Sequence, residues 1–309
     1  MKCNRCDVES ENEQFFHVER QTFNARALSL CPSCFYVKDD AVLKTVLVGL
    51  VAEGLIGLTL LLAFPQLTLG ALLLNIWLLL VVYLAGTIFH EAGHALAGAI
   101  VGVRIFYVEI GSGATILEFR WAGVRWRFRS FLFGGRVQGY PRHLAGYRLK
   151  ESVFILGGPV ADALIVLIAC KFLWVDSYFD SGLFAGIKPI GVVLLSNVVL
   201  LAYSLWPYEF TSDKGKSPND MLLLWRTWRL NRQKISETGF FFYNLEADEC
   251  RKQRNFAKAQ EWIAQGLREY PRHERLRLFS ASLSISEAKF DAARDICAMC
   301  WSICQKTQR

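Results

Sequence analysis

From Gly54 through Phe89 the chain carries no charged side chain. A helix crosses a bilayer with roughly 20 apolar residues, so this run is built for lipid. Four stretches meet that requirement: Ala41–Phe64, Gly70–Val101, Ser152–Val175 and Ile187–Pro207. The second is over-long, so part of it should tilt or lie inside protein. Hydrophobic residues make up 53% of the 309 and charged ones 20%, and the mean hydropathy is +0.25. The balance is that of a membrane protein with soluble appendages. The start, "MKCNRCDVESENEQ", lacks an apolar core, so no cleavable signal peptide is expected.

The net charge of +7 raises the question of a nucleic-acid partner, and the placement of the charges answers it. From Gly102 to Lys150 the connection after the second stretch holds Arg104, Arg120, Arg125, Arg127, Arg129, Arg136, Arg142, Arg148 and Lys150 against Glu109 and Glu118. The other two connections, "PQLTLG" and "DSYFDSGLFAG", hold no Lys or Arg. Basic connections stay cytoplasmic. The charge therefore marks topology: a multi-pass protein, expected in the bacterial inner membrane with both termini cytoplasmic, and no nucleic-acid partner.

Near the end of the second stretch stands "FHEAGHALAG". On a helix His90 and His94 are one turn apart on one face, where two imidazole nitrogens can meet one zinc ion at about 2.0–2.1 Å. Glu91 lies on nearly the same side, placed to take a proton from zinc-activated water rather than to ligate. Such a motif arises by chance in soluble chains. Ionisable residues inside a membrane helix are costly, however, and mark function there.

In this context the chain resembles the site-2 protease family of intramembrane zinc metalloproteases. "FHEAGHALAGAIVG" is similar to the family's first core helix. "IGSGATILEFRWAGVRWRFRSFLFGGRVQGY" resembles its membrane-associated β segment, ending in the pair Gly134 and Gly135. "LGGPVADALIVL" resembles the helix entry usually written Gly-Pro-x-x-Asn, and "SNVVLLAYSLWPY" the Asn-Leu-x-Pro region before the third ligand. The likeness covers about residues 70–225. It implies a catalytic zinc held by His90, His94 and a carboxylate, Glu91 as the base, and a site lined by Gly134, Gly135, Gly158, Pro159, Asp162 and Asn197. Three positions depart from the pattern: Asp162 and Ser204 stand where many relatives have Asn, and Met221 replaces the glycine of the usual Asp-Gly. Asp220 is the favoured third ligand and Asp213 in "TSDKG" the alternative, a turn residue being the reading of whichever fails.

Residues 116–131 alternate apolar and basic around Ala122-Gly123, the period of an amphipathic hairpin. Phe119, Trp121, Trp126 and Phe128 are expected against the membrane interface, with the arginines facing water or lipid phosphates. The resemblance adds that an edge strand there would pair with an unwound substrate. Inside the spans, Asp162 is expected at the site. Glu53 reads equally as gating or as a satisfied interior carboxylate, and Asn197 either lies near the catalytic centre or bonds across helices.

Both ends look soluble. "CNRC" and "CPSC" place Cys3, Cys6, Cys31 and Cys34 as four thiolates for one closed, structural zinc, a zinc ribbon over 1–38. At the other end "NFAKAQEWIAQGLREYP" and "KFDAARDICAMCWSICQ" align Phe256 with Phe290 and Ala259 with Ala293, 34 residues apart. That is the tetratricopeptide period, so two helix pairs are expected within 237–309. Such pairs must bury their apolar faces on the bundle, the ribbon or another subunit. Cys297, Cys300 and Cys304 form one helical stripe, read as small buried residues because no fourth ligand is evident. "MLLLWRTWRLNRQK" should lie along the cytoplasmic interface.

The expected architecture is thus a membrane all-α bundle of about four transmembrane helices (41–225) with a small membrane-associated β hairpin (about 104–140), an N-terminal zinc ribbon and C-terminal helical repeats. The expected activity is hydrolysis of a peptide bond in a single-span membrane protein near the cytosolic side, in regulated intramembrane proteolysis. It would need two Zn2+ ions, one catalytic and one structural. Further partners are the lipid bilayer, a cytosolic protein bound by the ribbon or repeats, or a second copy. The alternative is an inactive membrane scaffold or sensor. A zinc transporter would need a polar path across several spans, and these spans offer too few ligands.

Overall fold

The computed structural model describes residues 17–20, 27–30, 40–65, 68–180, 185–212, 215–253, 255–271 and 273–286. Strands β1 (His17–Arg20) and β2 (Ala27–Leu30) pair antiparallel. Cys3, Cys6, Cys31 and Cys34, the calls for a structural zinc, lie outside the described residues.

Helices α1 (Asp40–Ala63) and α2 (Thr68–Ile100) follow. Two helical stretches, Thr68–Ile100 and Tyr147–Phe179, are long and apolar enough to cross a membrane. Val48–Ala63 and Pro189–Leu205 are shorter apolar helices. Four full-length spans were expected, and length is where the last departs. Helix α4 (Pro189–Leu205) has 17 residues, about 26 Å at 1.5 Å per residue, against a hydrocarbon layer of about 30 Å. Helix α3 (Tyr147–Phe172) starts five residues before the expected Ser152 and continues as a 3-10 stretch, Leu173–Phe179. Large apolar side chains on the outer faces, among them Leu72, Phe89, Leu96, Leu167 and Leu195, are exposed. That is the pattern of helices meant for an apolar solvent.

Small residues set the spacing within the bundle. A Cβ on Gly93 would overlap the carbonyl oxygen of Gly157, and one on Gly157 that of Gly93, so α2 and α3 touch backbone to backbone. This contact brings the Gly157-Gly158-Pro159 segment of α3 directly beside the His90–His94 turn of α2.

Between α2 and α3 the chain forms β3 (Val103–Trp121) and β4 (Val124–Pro141), the hairpin expected at about 104–140, with the alternating stretch 116–131 around its turn. Its turn falls at Ala122 and Gly123, both with left-handed φ (52° and 76°), as a two-residue hairpin loop requires. The inner half of β3 is paired on both sides: Tyr107, Val108, Glu109 and Ile110 face Gln138, Val137, Arg136 and Gly135 on one flank and Arg125, Trp126, Arg127 and Phe128 on the other. A register shift between Ile105 and Tyr107 changes the parity of the faces. Val103, Ile105, Val108 and Ile110 all join Phe154 and Ile155 of α3 in one core, backed by Leu84, Ile88 and Ala92 of α2.

The opposite face contributes Phe106 and Tyr140 to a second core with the C-terminal helices. These are α5 (Asp220–Arg229), α6 (Arg232–Thr238), α7 (Phe240–Lys252), α8 (Phe256–Glu269) and α9 (Glu274–Ser286), preceded by the short pair β5 (Glu209–Ser212) and β6 (Gly215–Pro218). Of these, α7 lies against the hairpin and α8 and α9 pack on α7, whereas α5 places Leu223 and Leu224 in the first core against α3. Phe290, Ala293, Cys297, Cys300 and Cys304, on which the second repeat rests, lie outside the described residues.

The hairpin arginines depart from expectation. Arg127 bonds Glu118 and Glu109, Arg129 bonds Glu109, and Arg120 and Arg125 pair with Glu249 of α7. They are engaged by protein carboxylates rather than by lipid phosphates, because three acidic partners stand within reach. Trp126 is buried, while Phe119 and Trp121 are exposed.

Candidate metal centre

The last turns of α2 bury Gly86, Thr87, His90, Glu91, His94 and Gly98 while Phe89, Leu96 and Ile100 remain exposed. One stripe of the helix thus carries all the ionisable groups, as a spacing of one turn dictates. Nε2 of His90 and Nε2 of His94 lie 3.1 Å apart. Oδ2 of Asp220, the first residue of α5, lies 3.2 Å from the former and 3.6 Å from the latter. His90, His94 and Asp220 form the group able to hold a metal ion among the described residues. Asp213, the alternative ligand, lies outside them.

The outer nitrogens decide what the inner ones carry. Nδ1 of His94 lies 2.9 Å from the carbonyl oxygen of Phe154, which can only accept, so the proton sits on Nδ1 and Nε2 keeps its lone pair. The Gly158 N–H, 3.3 Å from the same Nδ1, cannot then donate to it; the shorter contact to an obligate acceptor prevails. Nδ1 of His90 lies 2.7 Å from Oδ2 of the fully buried Asp162, which likewise leaves Nε2 free to ligate. Three lone-pair donors consequently converge, an arrangement that repels itself without a cation. Donors arranged as a tetrahedron at about 2.0–2.1 Å from zinc stand roughly 3.3–3.4 Å apart, close to the three distances found. The donor set fits zinc.

Glu91 is buried, within electrostatic range of His94, His90, Asp220 and Asp162. Its side chain rests on the hairpin at Gly135: a Cβ there would stand 2.5 Å from its Cγ and 2.6 Å from its Cδ. Gly134 beside it has φ +72°, a left-handed conformation that favours glycine. Gly158 is equally constrained, since its Cβ would lie 2.6 Å from Nε2 of His90 and closer still to Nε2 of His94. Pro159 is buried within α3.

Asn197 is buried, and its side chain makes no hydrogen bond to another helix among the described residues. Its Nδ2 donates to Val193 of its own helix at 2.8 Å, and its Oδ1 faces Gly86, one turn before His90. The residue that sequence reading passed over is Asn219. In "SPNDM" it reads as an ordinary helix N-cap, and the cap is there, with Oδ1 accepting from Leu222 N–H at 3.2 Å. Nothing local betrays its contacts with the end of α4.

The family model of peptidase family M50 matches residues 77–304, well over half of the chain and beyond the stretch on which the resemblance rested. No curated protein matches the chain.

Proposed function

The chain belongs to peptidase family M50, the site-2 protease family, and from that premise we propose that it is an intramembrane zinc metalloprotease cleaving single-span membrane proteins near the cytosolic face. The observation that carries this reading is the convergence of Nε2 of His90, Nε2 of His94 and Oδ2 of Asp220 beside a buried Glu91. Zinc held by these three would act as a Lewis acid toward the scissile carbonyl and the attacking water.

The other tasks fall to the chain's own groups. Glu91 takes a proton from the attacking water and returns it to the leaving nitrogen, so the carboxylate is regenerated. Asp162 holds the His90 ring in the ligating tautomer. A helical peptide bond is shielded by its own hydrogen bonds, so the substrate must unwind before attack. An extended segment added alongside Gly134 and Gly135 would pass Glu91 at backbone distance.

In this reading the protein is multi-pass, with the basic connection and both termini cytoplasmic, and a cut near the HExxH end of α2 releases a cytosolic fragment. The amino-terminal thiolates hold a second, structural zinc, and the C-terminal helices bind a cytosolic partner or a second copy.

The deciding experiment pairs zinc analysis with membrane proteomics. Glu91→Gln should retain the zinc that His90→Ala and His94→Ala remove, and single-span proteins should accumulate uncut in its membranes. Unchanged levels of every single-span protein would overturn the protease reading in favour of an inactive scaffold.

A further inference from the structure

The third ligand arrives from a distant part of the chain, and one side chain fixes where it arrives. Helix α4 ends at Leu205, and Asp220 opens α5 after the excursion that contains β5 and β6. The two ends of that excursion meet at Asn219. Its Nδ2 donates toward three carbonyls at the end of α4: Tyr203 at 2.9 Å, Ser204 at 3.0 Å and Trp206 at 2.7 Å. Its Oδ1 accepts from Tyr208 N–H and from Leu222 N–H, each at 3.2 Å. Its own N–H donates to the Tyr208 carbonyl at 3.1 Å. The residue is buried.

The last carbonyls of a helix and the first N–H groups of the next are the ones without intrahelical partners. Asn219 serves both sets at once. It is the N-cap of α5 and a cross-link to the C-terminal end of α4, and the residue after it is the metal ligand. A serine or aspartate would cap α5 as well as asparagine does. Only a primary amide of this length both caps α5 and donates to the carbonyls of α4.

We infer that Asn219 is the positioning residue for the third zinc ligand, clamping the start of α5 to the end of α4 so that Asp220 meets the His90–His94 pair. This rests on the metalloprotease reading above, and it concerns how the metal site is assembled rather than what it cleaves. Asn219 precedes Asp220 and is not itself one of the three donors, so its signature is metal affinity and ligand geometry.

The test uses full-length protein in detergent. The zinc lost in the His90→Ala/His94→Ala double variant defines the site's share, separate from any held by cysteines. In Asn219→Ser, which keeps the cap and loses the amide donors, zinc at that site should bind about 10–100-fold more weakly in chelator competition, the usual effect of removing support from a ligand. With Co2+ substituted for zinc, the visible absorption band should shift, because one ligand is displaced. Asn219→Asp, nearly the same shape but turning an acceptor toward three carbonyls, should weaken binding at least as much, and it gives a second chance of a folded variant. Either variant, folded, with wild-type zinc affinity and an unshifted cobalt band would overturn the inference and leave the protease reading intact. Wild-type protein without histidine-dependent zinc would overturn both.

Discussion

Oδ2 of Asp162 and Nδ1 of His90 meet at 2.7 Å in a place solvent does not reach. A bond of this kind fixes the ring's tautomer and orientation, and removing such a partner typically costs about 10–100-fold in metal affinity. Asp162→Ala should show that loss when zinc is titrated against a chelator. Asp162→Asn keeps an acceptor for the ring N–H and should fall between wild type and alanine. Equal binding by all three proteins would show that the contact does not support the site.

Two glycines beside the centre should fail in different ways when given one methyl group. Gly135→Ala pushes on the Glu91 side chain, so it should keep zinc and lose cleavage of a single-span reporter. Gly158→Ala pushes on the imidazole nitrogens, so zinc itself should be lost. Metal analysis and reporter cleavage on both variants check the contrast. Loss of zinc in Gly135→Ala would contradict it.

How far the site was legible depends on how local its information is. His90, Glu91 and His94 share one turn of one helix, and a spacing of four residues is enough to place them. Asp220 lies 130 residues beyond His90 in the sequence, and only the resemblance pointed to it. Asn219 stayed hidden because its donors act on carbonyls of a helix 13–16 residues earlier, a contact that no capping pattern encodes. The extent of the hairpin, about 104–140, was legible with the help of the resemblance, but the pairing of its inner half was not. Alternation announced 116–131, but the inner half of β3 alternates with a slip at Ile105/Tyr107, and its two flanking partners exist only after the chain folds back. The expectation for the arginines failed because Glu109 and Glu118 engage Arg127 and Arg129 within the hairpin, and Glu249, 124 residues after Arg125, supplies the partner of Arg120 and Arg125.

That ion-pair cluster makes its own prediction. The Arg125 side chain is 6% exposed and that of Glu249 14%. Breaking a buried pair from one side usually costs about 3–5 kcal/mol. Glu118 remains 3.5 Å from Arg125, so Glu249→Ala should cost less, about 1–3 kcal/mol, a range typical of a buried group left short of one partner. Hydrogen exchange should quicken in residues 115–129 and in α7, while exchange around His90 stays as in wild type. Unaltered exchange at the hairpin tip would show that Glu249 does not hold it.

The C-terminal helices should also respond to acid. His273 stacks on Phe240 with ring centroids 3.6 Å apart. Burial, aided by the Arg275 charge, holds its pKa below the ordinary 6.5. The unfolded chain therefore binds this proton more readily than the folded one, and stability rises with pH wherever that holds. The sign is that of a group best kept neutral: its contribution is complete above about pH 7 and is lost as pH falls through 6.5 toward the lower folded value. Hydrogen exchange in α7–α9 should accelerate between pH 7.5 and pH 5.5 after correction for the intrinsic rate. His273→Gln, which cannot take up the proton, should flatten that dependence, and an equally steep response in the variant would assign the effect to another group.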